Sequence, residues 1–171
     1  MSKLAFLAIA CGLLSASLPA TVAPPAGPFD GTWTLTPAYT TTCTAGAVSV
    51  DVTVGRVFTR QTGPDSLEIR SDVAASGLGM THLDVYTLKV RLDSAARTFG
   101  FSGPVKGSAQ RQGYSGMLSG RLRVRGAFVD PDRIRAEVRT SLSISVTTPG
   151  NVSSGLCAPF DGTIIATRVT E

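Results

Sequence analysis

From Arg133 to Val146 the chain alternates without a break. Ile134, Ala136, Val138, Thr140, Leu142, Ile144 and Val146 fall on one face, and Arg133, Arg135, Glu137, Arg139, Ser141, Ser143 and Ser145 on the other. A helix would scatter these residues around its circumference, so the period of two predicts a long strand with one apolar face. The segment before it, Tyr114 to Phe128, behaves alike, with Leu118, Leu122, Val124 and Phe128 opposed to Arg121, Arg123 and Arg125. Val129-Asp130-Pro131-Asp132 between them has the residues of a tight turn. The two segments therefore form a long hairpin. A register centred on that turn sets Arg125 opposite Glu137 and Arg123 opposite Arg139, a repelling pair.

The same alternation recurs along the chain. Val48, Val50, Val52 and Val54 share a face until the pattern slips at Gly55-Arg56 before Val57 and Thr59, as it does at a bulge or bend. Gly63-Pro64-Asp65 turns the chain into Leu67, Ile69 and Ser71 against Glu68, Arg70 and Asp72. Further strand-like runs lie at Thr32 to Thr36, Thr81 to Asp93, Arg97 to Ser102 and Thr163 to Val169. No stretch shows a convincing period of 3.6. About eight antiparallel strands with short turns predict an all-β barrel, with a closed β-sandwich as the alternative.

The first residues change the picture of where this domain acts. Lys3, the apolar run Leu4 to Leu14, and the small residues from Ser15 to Ala20 follow the order of a cleaved export signal and are too short to span a bilayer. Cleavage is expected between Ser17 and Ala23, so residues 1–23 form the signal, 24–28 a Pro-rich linker and 29–171 a single domain. Ala8-Ile9-Ala10-Cys11 also resembles the box at which bacterial lipoproteins are lipidated, the alternative in which Cys11 anchors the protein. With Cys11 removed, Cys43 and Cys157 remain in a chain bound for an oxidising compartment, periplasmic or extracellular, and predict one disulfide from an early loop to the start of the last strand. Two free thiols are the alternative.

Pro28-Phe29-Asp30-Gly31-Thr32 recurs as Pro159-Phe160-Asp161-Gly162-Thr163, as if the first and last strands entered the sheet alike and met where it closes. Gly31-Thr32-Trp33 at the start of the first strand, with Arg168 near the end of the last, resembles the Gly-x-Trp and C-terminal Arg pairing of the lipocalin-like (calycin) barrels. The resemblance rests on these few residues. It implies that Arg168 packs across Trp33 at a closed base, a structural pair, and that an open mouth admits small apolar molecules.

Catalytic chemistry is sparse. His82, the sole histidine, sits two residues from Asp84 on one face of an expected strand, but no nucleophile elbow surrounds any serine and no helix offers an oxyanion hole. A hydrolase working through His82 is the enzymatic alternative to a non-catalytic protein. Two cysteines and one histidine cannot close a zinc site without carboxylates, no Gly-rich loop joins a strand to a helix, and no cofactor is expected.

Charge is more suggestive. Arg121, Arg123, Arg125, Arg133, Arg135 and Arg139 crowd the outward face of the hairpin, where guanidinium groups suit bidentate contact with an acidic protein or an anionic surface. The plainer reading is a solvated strand face protected from edge pairing. Aromatic residues do not interleave with these arginines, which disfavours nucleic acid. Aromatics make up 6% of the chain, and the arginines would crowd a narrow lumen, which disfavours an outer-membrane barrel as well. Asn151-Val152-Ser153 would accept a glycan only in a eukaryotic secretory pathway.

The sequence thus predicts an exported, non-catalytic binding module. Its target is either a small apolar ligand inside the barrel or a protein met by the arginine face, and the two differ in whether the interior is filled.

Overall fold

The computed structural model describes residues 27–76, 87–111 and 114–170. The expected export signal, Cys11, most of the expected linker, and His82 with Asp84 lie outside these residues. The described chain is all-β, in nine antiparallel strands. They are β1 (Gly31–Ala45), β2 (Val48–Gly63), β3 (Ser66–Ser76), β4 (Thr87–Asp93), β5 (Thr98–Arg111), β6 (Tyr114–Asp130), β7 (Arg133–Thr148), β8 (Asn151–Cys157) and β9 (Phe160–Arg168). Each strand pairs with the next from β1 to β8, and β1 also pairs with β8 and β9, so the sheet closes into a ring. The nine strands occupy eight places in it, because β8 and β9 share one. Between β7 and β1, β8 pairs at Ser143–Thr148 and Cys43–Ala45, and β9 at Arg133–Thr140 and Trp33–Thr36.

The β6–β7 hairpin has the register expected of it, Arg125 opposite Glu137 and Arg123 opposite Arg139. Asp130 holds the turn, its carboxylate accepting a 2.9 Å hydrogen bond from the Asp132 amide. The slip in β2 is a bulge: pairing with β3 jumps from Val54 to Arg56, leaving Gly55 over. Directly across, β1 leaves the ladder between Thr34 and Tyr39, around Pro37, which has no amide to donate. The two irregularities together keep Trp33, Leu35 and Tyr39 of β1, and Val57 and Thr59 of β2, facing inward.

Two turns demand glycine. Ala45 and Val48 pair across Gly46-Ala47, and Gly46 takes φ +61°; Thr148 and Asn151 pair across Pro149-Gly150, and Gly150 takes φ +80°.

Two expectations are corrected. Cys43 lies within β1, not in a loop, and Cys157 ends β8, a strand absent from the sequence reading. They stand directly opposite each other and are disulfide-bonded, with an S–S distance of 2.06 Å.

The interior packs as two clusters. Around the disulfide lie Cys43, Ala45, Val50, Val52, Leu118, Ile144 and Val146. At the other end, Trp33, Phe29, Leu67, Leu92, Phe99 and Phe128 form an aromatic floor, with Phe128 4.8, 5.7 and 5.4 Å from the rings of Phe29, Trp33 and Phe99.

Candidate functional site: an apolar cavity between two packed ends

The floor is built around one unit of four residues. Trp33 is fully buried and donates its indole N–H to the Thr59 hydroxyl at 2.8 Å, which in turn donates to the Phe29 carbonyl at 2.5 Å. The Arg168 guanidinium lies 4.4 Å from the centre of the Trp33 ring and donates to the carbonyls of Asp30 at 2.5 Å and Pro131 at 2.9 Å. A Cβ on Gly31 would collide with the Arg168 Nη1. The glycine, the tryptophan and the arginine are thus one packing arrangement, with Arg168 laid across both. The repeated Asp-Gly segments do different work: Asp30 accepts from the amides of Gly27 and Gln61, while Asp161 lies outside and pairs with Arg139 at 2.9 Å.

Above the floor is a cavity of about 200 Å³. Val52, Val73, Leu118 and Leu142 line it from the disulfide cluster; Leu35, Tyr39, Phe99, Ile134 and Val138 line it from the floor. It therefore separates the two packed ends. The remaining wall is mostly aliphatic, including Val54, Val124 and Leu122.

Five polar residues reach this wall: Tyr39, Thr59, Ser71, Lys106 and Thr140. Three of them are occupied within the protein. The Tyr39 hydroxyl is 3.2 Å from the Thr140 Oγ1, which also accepts from the Phe160 amide at 3.2 Å, and Thr59 is held between Trp33 and Phe29. With three of its four hydroxyls engaged within the protein, the wall offers water little, which favours an apolar guest.

The sequence-predicted arginines share one outward face but not one set of partners. Arg139 pairs with Asp161, and Arg133 lies 4.0 Å from Asp130; both pairs are exposed and contribute little. Among the described residues, Arg121, Arg123, Arg125 and Arg135 have no ion-pair partner. No group of three metal-ligating side chains occurs among the described residues.

No protein-family profile and no curated protein matches this sequence. Among solved structures, EF1p2_mFAP2b bound to DFHBI matches at 11% identity, over 83% of this chain and 94% of its own, with a TM-score of 0.29. At that score the likeness carries no argument about fold or function.

The cavity is what the alternation could not announce. The repeated inward valines were its only trace: medium-sized side chains around an eight-place ring leave the centre underfilled.

Proposed function

We propose that this protein is an exported, non-catalytic binding module that takes a small apolar ligand into the ring interior, in the manner of lipocalin-like barrels. The observation that carries this reading is the apolar cavity between two packed ends. The disulfide supports export, since such bonds persist in oxidising compartments.

Size sets both ligand and affinity. Engineered apolar cavities of about 150 Å³ hold benzene, so a cavity of about 200 Å³ suits a single ring or a short alkyl chain. Unfilled core volume costs about 24 cal/mol per Å³, so filling about 200 Å³ is worth about 5 kcal/mol, a dissociation constant of roughly 0.1–1 mM from cavity filling alone.

Native mass spectrometry of the protein mixed with millimolar octan-1-ol, a short alkyl probe, is expected to show a one-to-one complex. Val124→Phe, which adds a ring to the cavity wall, is expected to weaken that binding at least tenfold, whereas Leu156→Ala, at an exposed position, leaves it unchanged. Equal binding by both variants would place the ligand elsewhere.

A second reading is favoured by the unpaired arginines, which would dock an acidic protein surface. Arg123→Glu with Arg125→Glu is then expected to abolish capture of that partner and leave the interior ligand bound, as measured by pull-down and by native mass spectrometry of the same variant.

A further inference from the structure

We infer that the arginines of β6 dock an extended acidic segment of a partner protein, its carboxylates at alternate positions; this rests on the protein-docking reading above. Arg121, Arg123 and Arg125 are exposed and occupy successive outward positions of one strand. In an antiparallel strand such positions recur roughly every 6.8 Å, and an extended peptide with an acid at every second residue repeats at the same interval. Each guanidinium can then meet one carboxylate bidentately.

Solubility does not account for this row. On the outer surface of β2, β3 and β4 opposite charges face each other, with Arg56 opposite Asp72, Arg60 opposite Glu68, and Glu68 opposite Lys89. On β6 one sign is repeated three times, and Arg123 stands opposite Arg139, a like-charge pairing that opposes folding. Edge protection does not account for the row either. β6 pairs with β5 from Tyr114 to Ala127 and with β7 from Ser115 to Asp130, so it is an interior strand of the ring with no edge to guard. Its backbone groups are used on both sides, and a partner is met by side chains alone.

The flanks leave the row open. On the β5 side, Arg125, Arg123 and Arg121 stand opposite Gly100, Ser102 and Pro104, small residues without charge. On the β7 side they stand opposite Glu137, Arg139 and Ser141, and Arg139 is engaged with Asp161 at 2.9 Å. None of the three has an ion-pair partner among the described residues. The low β5 flank makes a shallow strip beside the cations in which a peptide backbone can lie. Arg91 of β4, exposed and opposite Gly100, adds a cation on the far side of that strip.

The test is fluorescence anisotropy, at low salt, of two labelled decapeptides mixed with the disulfide-bonded protein. One alternates glutamate and threonine; the other has the same composition with its glutamates in a single block. Their charges are equal, so only the spacing of the carboxylates differs. The alternating peptide is expected to bind about tenfold more tightly, and Arg123→Gln should lower its affinity about tenfold and remove the preference. Arg60→Gln, the same loss of charge on the face where opposite charges meet, is the control and should leave the preference intact. Equal affinity for the two peptides, a preference that survives Arg123→Gln, or one lost with Arg60→Gln overturns the extended-segment assignment while docking of an acidic surface stands. Tighter binding to phosphatidylglycerol vesicles than to either peptide assigns the row to a lipid surface and overturns the assignment too. Binding of neither peptide overturns the protein-docking reading itself, and this inference with it.

Discussion

Trp33→Ala lowers the unfolding free energy by about 3–5 kcal/mol, the range for removing a large aromatic side chain from a packed core. At a domain of this size 4 kcal/mol corresponds to a Tm drop of roughly 8–16 °C. Trp33 is fully buried, and three losses combine in the substitution. The floor loses the ring that packs edge-on against Phe128, Thr59 loses the indole N–H that it accepts, and Arg168 loses the face on which it lies. Arg168→Ala should cost less, about 1–2 kcal/mol, because the tryptophan stays packed when the cation leaves. Urea denaturation followed by circular dichroism checks both values. A cost below 1 kcal/mol for Trp33→Ala would mean that the closed floor is not a stability element.

Replacing both cysteines, Cys43→Ala with Cys157→Ala, is expected to cost about 2–5 kcal/mol. The bond joins residues 114 apart in sequence, and in the chain-entropy account a loop of that length is worth about 4–5 kcal/mol. Its position adds a local effect. β1 and β8 pair only at Cys43–Cys157, Thr44–Leu156 and Ala45–Gly155, so the covalent bond is one of three pairings that close the ring at this end. The strands also approach closely there, since a Cβ on Gly155 would collide with the Thr44 carbonyl. Hydrogen exchange should show the loss unevenly, with amides of β8 exchanging much faster than those of the β6–β7 hairpin. Uniform acceleration would show that the bond acts only through the unfolded chain.

The parts of the fold that were legible in the sequence are those where inward residues are large and apolar. β6 and β7 carry Leu118, Val124, Phe128, Ile134, Val138 and Ile144 at strict alternation, and a Pro-containing turn between them, so strand, face and register followed together. β8 was missed for the opposite reason. Its inward positions, Ser153, Gly155 and Cys157, are small because the ring is tight beside the disulfide, while its apolar residues Val152 and Leu156 point outward and are exposed. The second half of β5 was missed likewise: inward Gly103 and Gly107 carry no apolar signal, and the Phe101 ring lies over Gly103 instead. In β1, buried Thr41 breaks the apolar pattern, and its hydroxyl donates to the Ala158 carbonyl at 2.7 Å.

The candidate site was less legible than the fold. Trp33 and Arg168 stood out by type and position, but a cavity is a difference between the volume a ring encloses and the volume its side chains fill, and alternation reports neither.

The most direct test of the central claim is a methyl NMR titration of the disulfide-bonded protein with octan-1-ol. The account predicts saturable shifts concentrated on the cavity-lining methyls of Val54, Leu88, Leu122, Val124 and Ile164, with those of exposed Val152 and Leu156 unmoved. Shifts confined to Val152 and Leu156, or no saturable shifts at all, would contradict an interior binding site.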